Sequence, residues 1–563
     1  MKIKKLVALL SAFSMALATA GCAGSDSSSV AENNSSDVSS VTDNSSSEAP
    51  KEPIVETVGD LDYSPYIPES GVPEEFSFLV EAEQCIYNGE ATVGAETTMG
   101  EFSGSGYVTN TSRKDPVTFK FITEHSGRYD VIIKAARGDN AAAGRIEFGE
   151  DGASGTFNIP EENKFCECIV KNLYIEAGEH DVVVTDYTKG FSIDSIEIVA
   201  ATGVDLSIYD VSHKLSNPNA NETTQRLYNF LVDIYGKYTL TGQYSDSNAF
   251  PLGTDMIYDQ HRTFRQIEKE CGDLPAILGL DLIAYSTSRM EFGSSEGDGE
   301  MYLTSAKAWD KAGGIVTICW HWNAPSKFLI GSEEYPWFRG FYTEATQGLD
   351  LEKILSDKNG EDYQLLINDI DRIAVELQKL EDADIPVLWR PLHEAGGDPK
   401  WNNNWFWWGA SGAKPYIELW QIMYDRLTNH WGLDNLIWVW NGQNTAWYPG
   451  DEYCDMISFD IYADAYDYSS QEDIFEYIRK STDTNKIVAL SENGVVFDVD
   501  SAFDEGARWS WFAVWSGEYS LDGAFLSELY TEKEQWIKSY QSERALTLNE
   551  LPDWRCYPLA YED

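Results

Sequence analysis

From about Asn219 onward the chain alternates eight apolar, strand-like runs with amphipathic helical stretches, and few architectures accept that alternation. The runs are Tyr238–Tyr244, Ala276–Leu282, Gly314–Trp320, Pro386–Leu392, Leu436–Asn441, Met456–Tyr462, Lys486–Glu492 and Ser510–Trp515. Stretches such as Tyr363–Leu380 and Pro415–Asn429 between them carry apolar residues at helical spacing. Eight β/α units predict a (β/α)8 TIM barrel over residues 219–561, with loop excursions between the third and fourth strands.

A chain of 563 residues exceeds what one core organises, and the N-terminal part reads differently. Over residues 76–200, short period-2 runs such as Val117-Thr118-Phe119-Lys120-Phe121-Ile122 and Tyr129-Asp130-Val131-Ile132-Ile133 alternate with Gly and Asn. That pattern predicts an antiparallel β-sandwich. Residues 22–74 are rich in Ser, Asp, Asn, Glu and Pro and cannot bury enough apolar surface to order themselves, so a disordered linker is expected there. The first residues, Met1-Lys2-Ile3-Lys4-Lys5 and an apolar run to Ala20, read as an export signal over 1–21, too short to span a bilayer. Ala18-Thr19-Ala20 fits an ordinary cleavage site. Thr19-Ala20-Gly21-Cys22 instead resembles a bacterial lipobox that would lipidate Cys22 and anchor an extracellular protein, the only membrane attachment expected.

A formal charge of −52 repels nucleic acid, anionic membranes and polyanionic sugars, and leaves neutral polymers as partners. The 19 Trp and 31 Tyr exceed the needs of core packing and suggest platforms for the flat C–H faces of sugar rings. Beyond Cys22, seven scattered cysteines form neither a disulfide framework nor a zinc pattern; Cys166 and Cys168 share a face if that segment is a strand, and either could pair with Cys85.

Barrel chemistry sits where strands end on the C-terminal face. The third run ends in Trp320-His321-Trp322-Asn323, the fourth in Arg390-Pro391-Leu392-His393-Glu394, the sixth in Asp460-Ile461-Tyr462, the seventh in Ser491-Glu492-Asn493, and the eighth near Trp515. Glu394 and Glu492 thus face each other across the barrel mouth. Cleavage of a glycosidic bond needs such a pair, one carboxyl to protonate the leaving oxygen and one carboxylate at the anomeric carbon.

Trp389-Arg390-Pro391-Leu392-His393-Glu394, Trp405-Phe406-Trp407-Trp408-Gly409 and Leu490-Ser491-Glu492-Asn493-Gly494 together resemble glycoside hydrolase family 26 over most of 219–561. The resemblance implies a retaining hydrolase, most often an endo-β-1,4-mannanase acting on neutral plant cell-wall mannan, glucomannan or galactomannan. Mixed-linkage β-glucanase, β-xylanase and a non-catalytic glycan-binding protein remain alternatives. It implies Glu394 as acid/base and Glu492 as nucleophile, with no cofactor for catalysis. His321, His393, Trp322, Trp405, Trp408, Tyr462 and Trp515 are implied to line the substrate, and Arg390 to act beneath the nucleophile. Two departures stand out: a longer loop carrying Trp401 after Glu394, and Ser516 where some mannanases place an Arg. The sandwich, opening with Val80-Glu81-Ala82-Glu83 and closing on Phe191–Ile198, resembles carbohydrate-binding module family 35. That likeness implies a structural Ca²⁺ held by Glu81, Glu83 and Asp194, with Tyr107, Asn140 and Phe191 near a sugar site. A monomer is expected.

Overall fold

The structure, a computed structural model, describes residues 61–560 apart from 69, 113, 140–141, 150–151, 187–190, 246–261, 294–300 and 398–403. The export signal, Cys22, Asn140 and Trp401 therefore lie outside the described residues.

Eight parallel strands close into a barrel: β1 Gly242–Tyr244, β2 Ile277–Asp281, β3 Ile315–Cys319, β4 Val387–Arg390, β5 Leu436–Trp440, β6 Met456–Ile461, β7 Ile487–Asn493 and β8 Phe512–Val514. Strand β8 returns to β1 through the pair Gln243–Val514, so no edge is left open. These strands are buried on both faces, which is why they read as continuous apolar runs rather than alternating ones. The first run was read too long: Thr239–Leu240 leaves the barrel ladder and pairs with Ala545–Leu546 instead. Helix Glu361–Glu381 shows how the outer layer is specified. Leu366, Ile370, Ile373, Leu377 and Leu380 step by four and three residues and form one buried stripe, while Glu361 and Asp362 suit the positive end of the helix dipole.

The N-terminal domain is a sandwich of two antiparallel sheets, one of six strands and one of five. Strand Val117–Thr123 buries its odd-numbered residues and leaves Lys120 and Ile122 exposed, the period-2 signature of a half-solvated sheet. The seven cysteines among the described residues are all free.

Residues 61–72 correct the linker expectation. Leu61, Tyr63 and Tyr66 pack against the barrel core, Tyr66 Oη donates to Asp504 at 2.6 Å, and Val72 is buried in the sandwich core. Composition across the whole tract hid these few apolar anchors. Arg128 of the sandwich reaches the same Asp504, so one carboxylate binds strap and sandwich to the barrel.

Candidate active site

The barrel brings Glu394 and Glu492 to one point. One oxygen each of Glu394, Asp460 and Glu492 lies within 4.8 Å of the others, and the two glutamates are 8% and 3% exposed. Glu492 sits in β7, where its Oε2 accepts from Tyr462 Oη at 2.8 Å and its Oε1 accepts from the Arg390 guanidinium. Arg390 also donates to Asp460 Oδ2 at 2.8 Å and to Tyr244 Oη at 3.0 Å. Asp460 is fixed from the other side by Asn441 Nδ2 at 2.8 Å and Ser491 Oγ at 2.6 Å.

Glu394 lies just past β4 on a turn in which Leu392 and Glu394 have φ of 51° and 52°. Left-handed backbone is costly for residues of this size. It is held here because the Glu394 N–H donates to both the backbone oxygen and Oδ1 of Asn441, at 2.7 and 3.0 Å. Trp405 Nε1 donates to Glu394 Oε2 at 2.7 Å.

Burial is the first cause that raises both carboxyls. Glu394 is pushed well above the ordinary range, with the Asp460 and Glu492 charges adding to the effect. Glu492 is pushed up to about 7, burial being opposed chiefly by Arg390. When the pair holds one proton, these environments leave the charge on Glu492 and the proton on Glu394.

Tyr462 is 42% exposed at the mouth, and Trp405 and Trp515 are half-buried, so these three present surface to the cleft. The Trp515 ring lies 4.6 Å from Tyr244 and 5.8 Å from His321. Three other expected substrate contacts are corrected, because Trp322, Trp408 and His393 have no exposed surface; Arg390 is equally buried and bonds Glu492 from beneath. Trp408 Nε1 donates to the His393 carbonyl at 2.8 Å, Trp407 Nε1 to the Trp322 carbonyl at 2.7 Å, and Trp322 Nε1 to Asp369 at 2.8 Å. The Trp-rich block is thus largely a rack of indole donors behind the strand ends, with Trp405 reaching the Glu394 carboxyl. In the sandwich, Tyr107 packs on Phe102 and Phe165 and Phe191 on Phe157, both buried, so neither offers a sugar platform.

Sequence reasoning missed Asp281, Tyr244 and Asn441. Each stands at a strand end, the one signal that could have found them. Glu81, Glu83 and Asp194 are tied to one loop, Ser103–Gly104–Ser105: Ser103 donates to Glu81 and Asp194, and Ser105 to Glu83. Gly104 has φ of +62°, and a Cβ there would fall 2.3 Å from Glu83 Oε1, so a side chain would strain the loop and displace Glu83.

The sequence model of glycosyl hydrolase family 26 matches residues 216–537, a span that holds all eight barrel strands. The chain belongs to glycosyl hydrolase family 26. The mannan endo-1,4-β-mannosidase of Thermothelomyces thermophilus is 34% identical over 86% of this chain and 92% of its own length. Mannan endo-1,4-β-mannosidase B of Piromyces sp is 29% identical over 86% of this chain and 81% of its own length. Among solved structures, the Podospora anserina GH26-CBM35 β-(1,4)-mannanase is 34% identical with a TM-score of 0.60, covering 85% of this chain and 99% of that one. A ruminal GH26 endo-β-1,4-mannanase gives a TM-score of 0.68 at 27% identity over the same shares. As a family 26 member the protein is a glycoside hydrolase.

The raised pair predicts a pH profile for this family 26 enzyme. With Glu492 as the nucleophile and Glu394 as the acid, the roles implied by the family resemblance, activity is expected to fall as pH drops through the Glu492 transition and again as pH rises through the Glu394 transition. The acidic limb of kcat/KM should therefore lie well above 4.5, with the basic limb above it. An acidic midpoint at 4.5 or lower would contradict the burial argument.

Proposed function

We propose that the chain is a retaining endo-β-1,4-mannanase in which Glu394 is the acid/base and Glu492 the nucleophile. The observation that carries this is the spacing of the two carboxyls. Oxygens within 4.8 Å of each other suit the carboxyl separation of a retaining pair, about 5–5.5 Å, better than that of an inverting one, about 6.5–9.5 Å. Trp405 occupies Glu394 Oε2 as a donor, so the acidic proton belongs on Oε1, ready for the leaving oxygen. Glu492 attacks the anomeric carbon, the bond to the leaving oxygen breaks as Oε1 gives up its proton, and a glycosyl–Glu492 ester forms. Glu394, now a carboxylate, takes a proton from water, which opens the ester with overall retention. No organic cofactor or catalytic metal takes part.

The substrate assignment is supported by mannanase relatives that align along most of this chain, sandwich included. Product analysis on galactomannan, glucomannan, lichenan and xylan tests it. Internal cleavage of the mannans with β-configured first products is expected. Cleavage of lichenan or xylan without mannan would replace the substrate assignment with the glucanase or xylanase alternative.

Residues 76–200 are proposed as a carbohydrate-binding module stabilised by Ca²⁺, acting with the catalytic domain of 219–561. The fit rests on Glu83 Oε2, which is buried without a protein partner, and on Glu81 beside it. Asp194 contributes less, since Lys134 already neutralises it at 2.8 Å. Calcium removal with EGTA should lower the melting temperature of the sandwich, and Glu83→Gln should abolish that response; no shift on chelation would discard the ion. Export with an anchor through Cys22 is proposed from the N-terminal sequence. Loss of detergent-phase partition in Cys22→Ser would support the anchor, and aqueous partition of the unaltered protein would exclude it.

A further inference from the structure

At the end of β2, Asp281 accepts two hydrogen bonds from the residue two past β3: the His321 backbone N–H at 3.1 Å and the ring Nδ1–H at 2.7 Å. The other ring nitrogen of His321 stands 3.3 Å from Nε2 of His393. A carboxylate only accepts, so Nδ1 of His321 carries the hydrogen, and a neutral ring then has a bare Nε2. His393 must donate its Nε2–H to that lone pair, which leaves its own Nδ1 without hydrogen. That Nδ1 is buried with no partner, and an unpaired acceptor is easier to tolerate than an unpaired donor. The charged and titratable groups facing the two rings are Asp281 from β2, Cys319 from β3, Arg390 from the end of β4, and Glu492 from β7. Burial, then the Arg390 charge, holds His393 well below the usual histidine range, so a second cation is disfavoured there.

We propose that Asp281 is a positioning residue that selects the tautomer of His321, and with it the direction of the His393-to-His321 hydrogen bond, at the wall of the cleft beside Trp515. Both nitrogens of His321 are then committed within the protein. His321 offers the sugar a fixed ring edge and no N–H, which gives the expectation that it lines the substrate a definite form. The Phe341 ring 5.0 Å away, edge-on, supports the same fixed orientation. The activity arm of the test rests on the glycosidase reading of the site; the spectroscopic arm does not.

Nitrogen-15 NMR of the full chain labelled at its seven histidines, with His321→Asn to assign the signal, reads the tautomer directly. The unaltered protein should show Nδ1 of His321 protonated and Nε2 bare. In Asp281→Asn the amide can present oxygen or N–H, so the His321 signal should shift toward a mixture. Its kcat should fall about 10–100-fold, as loss of a ligand-orienting partner typically does, with KM and melting temperature little changed. Asp281→Glu should restore part of that loss. A protonated Nε2 in the unaltered protein would overturn the proposal, as would wild-type His321 signals and turnover in Asp281→Asn. If the unaltered protein cleaves none of the four glycans, the functional reading fails while the tautomer measurement still decides this one.

Discussion

Glu492→Ala should lose turnover on the preferred glycan by on the order of 10⁴-fold or more, as removal of a covalent nucleophile does in other hydrolases. Glu492 stands in β7 with its oxygens held by Arg390 and Tyr462. Asp460, the nearest substitute, is tied to Arg390, Asn441 and Ser491. The variant should still fold, since burial disfavours the charge it removes. The space left by the carboxylate should admit azide or formate. With an activated β-glycoside, azide should restore part of the rate and give an α-configured glycosyl azide, measurable by proton NMR. Unchanged turnover would remove Glu492 from the mechanism, and a β-azide would rule out direct displacement at its position.

Arg390→Met should be the most damaging change outside the glutamate pair. The guanidinium has no exposed surface and bonds Asp460, Glu492 and Tyr244 together. Removing one member of a buried ionic set costs about 3–5 kcal/mol, because the remaining charges stay desolvated. Two carboxylates lose their cation at once, so a large fall in melting temperature is expected. Activity should change in a specific way: without Arg390, burial raises Glu492 further, so the acidic limb of kcat/KM moves to higher pH. Arg390→Lys keeps a charge but not the fork that reaches three groups, so it should fall between the two proteins in both measurements. An acidic limb unmoved in the methionine variant would show that Arg390 supports only the fold.

The eight strands and both glutamates were legible because apolar runs and strand ends are written locally. Direction at a strand end is not. Trp322 and Trp515 each follow a barrel strand among polar neighbours, yet one turns to Asp369 on the outer helix layer and the other to the cleft. Nothing in spacing distinguishes them, since an indole suits a rack and a sugar platform equally well. Asp281 escaped notice for a related reason: a lone acid after an apolar run gains meaning only when the fold sets it 2.7 Å from a histidine forty positions later. The strap at 61–72 was lost to averaging, because three anchors decided its fate within a tract judged by composition.

The turn at Glu394 sets the fold and the chemistry at odds. A left-handed backbone at a non-glycine residue costs about 1–2 kcal/mol, and burial of the carboxyl adds to the penalty. Glycine at 394 would relieve both, and the genetic code places glycine one nucleotide from glutamate. Selection for stability alone would therefore favour an inactive barrel here. A lineage descended from this chain can drift to a tougher, silent protein with its cleft otherwise intact. Thermal screening of variants would enrich such proteins, and only an assay of bond cleavage would tell them apart.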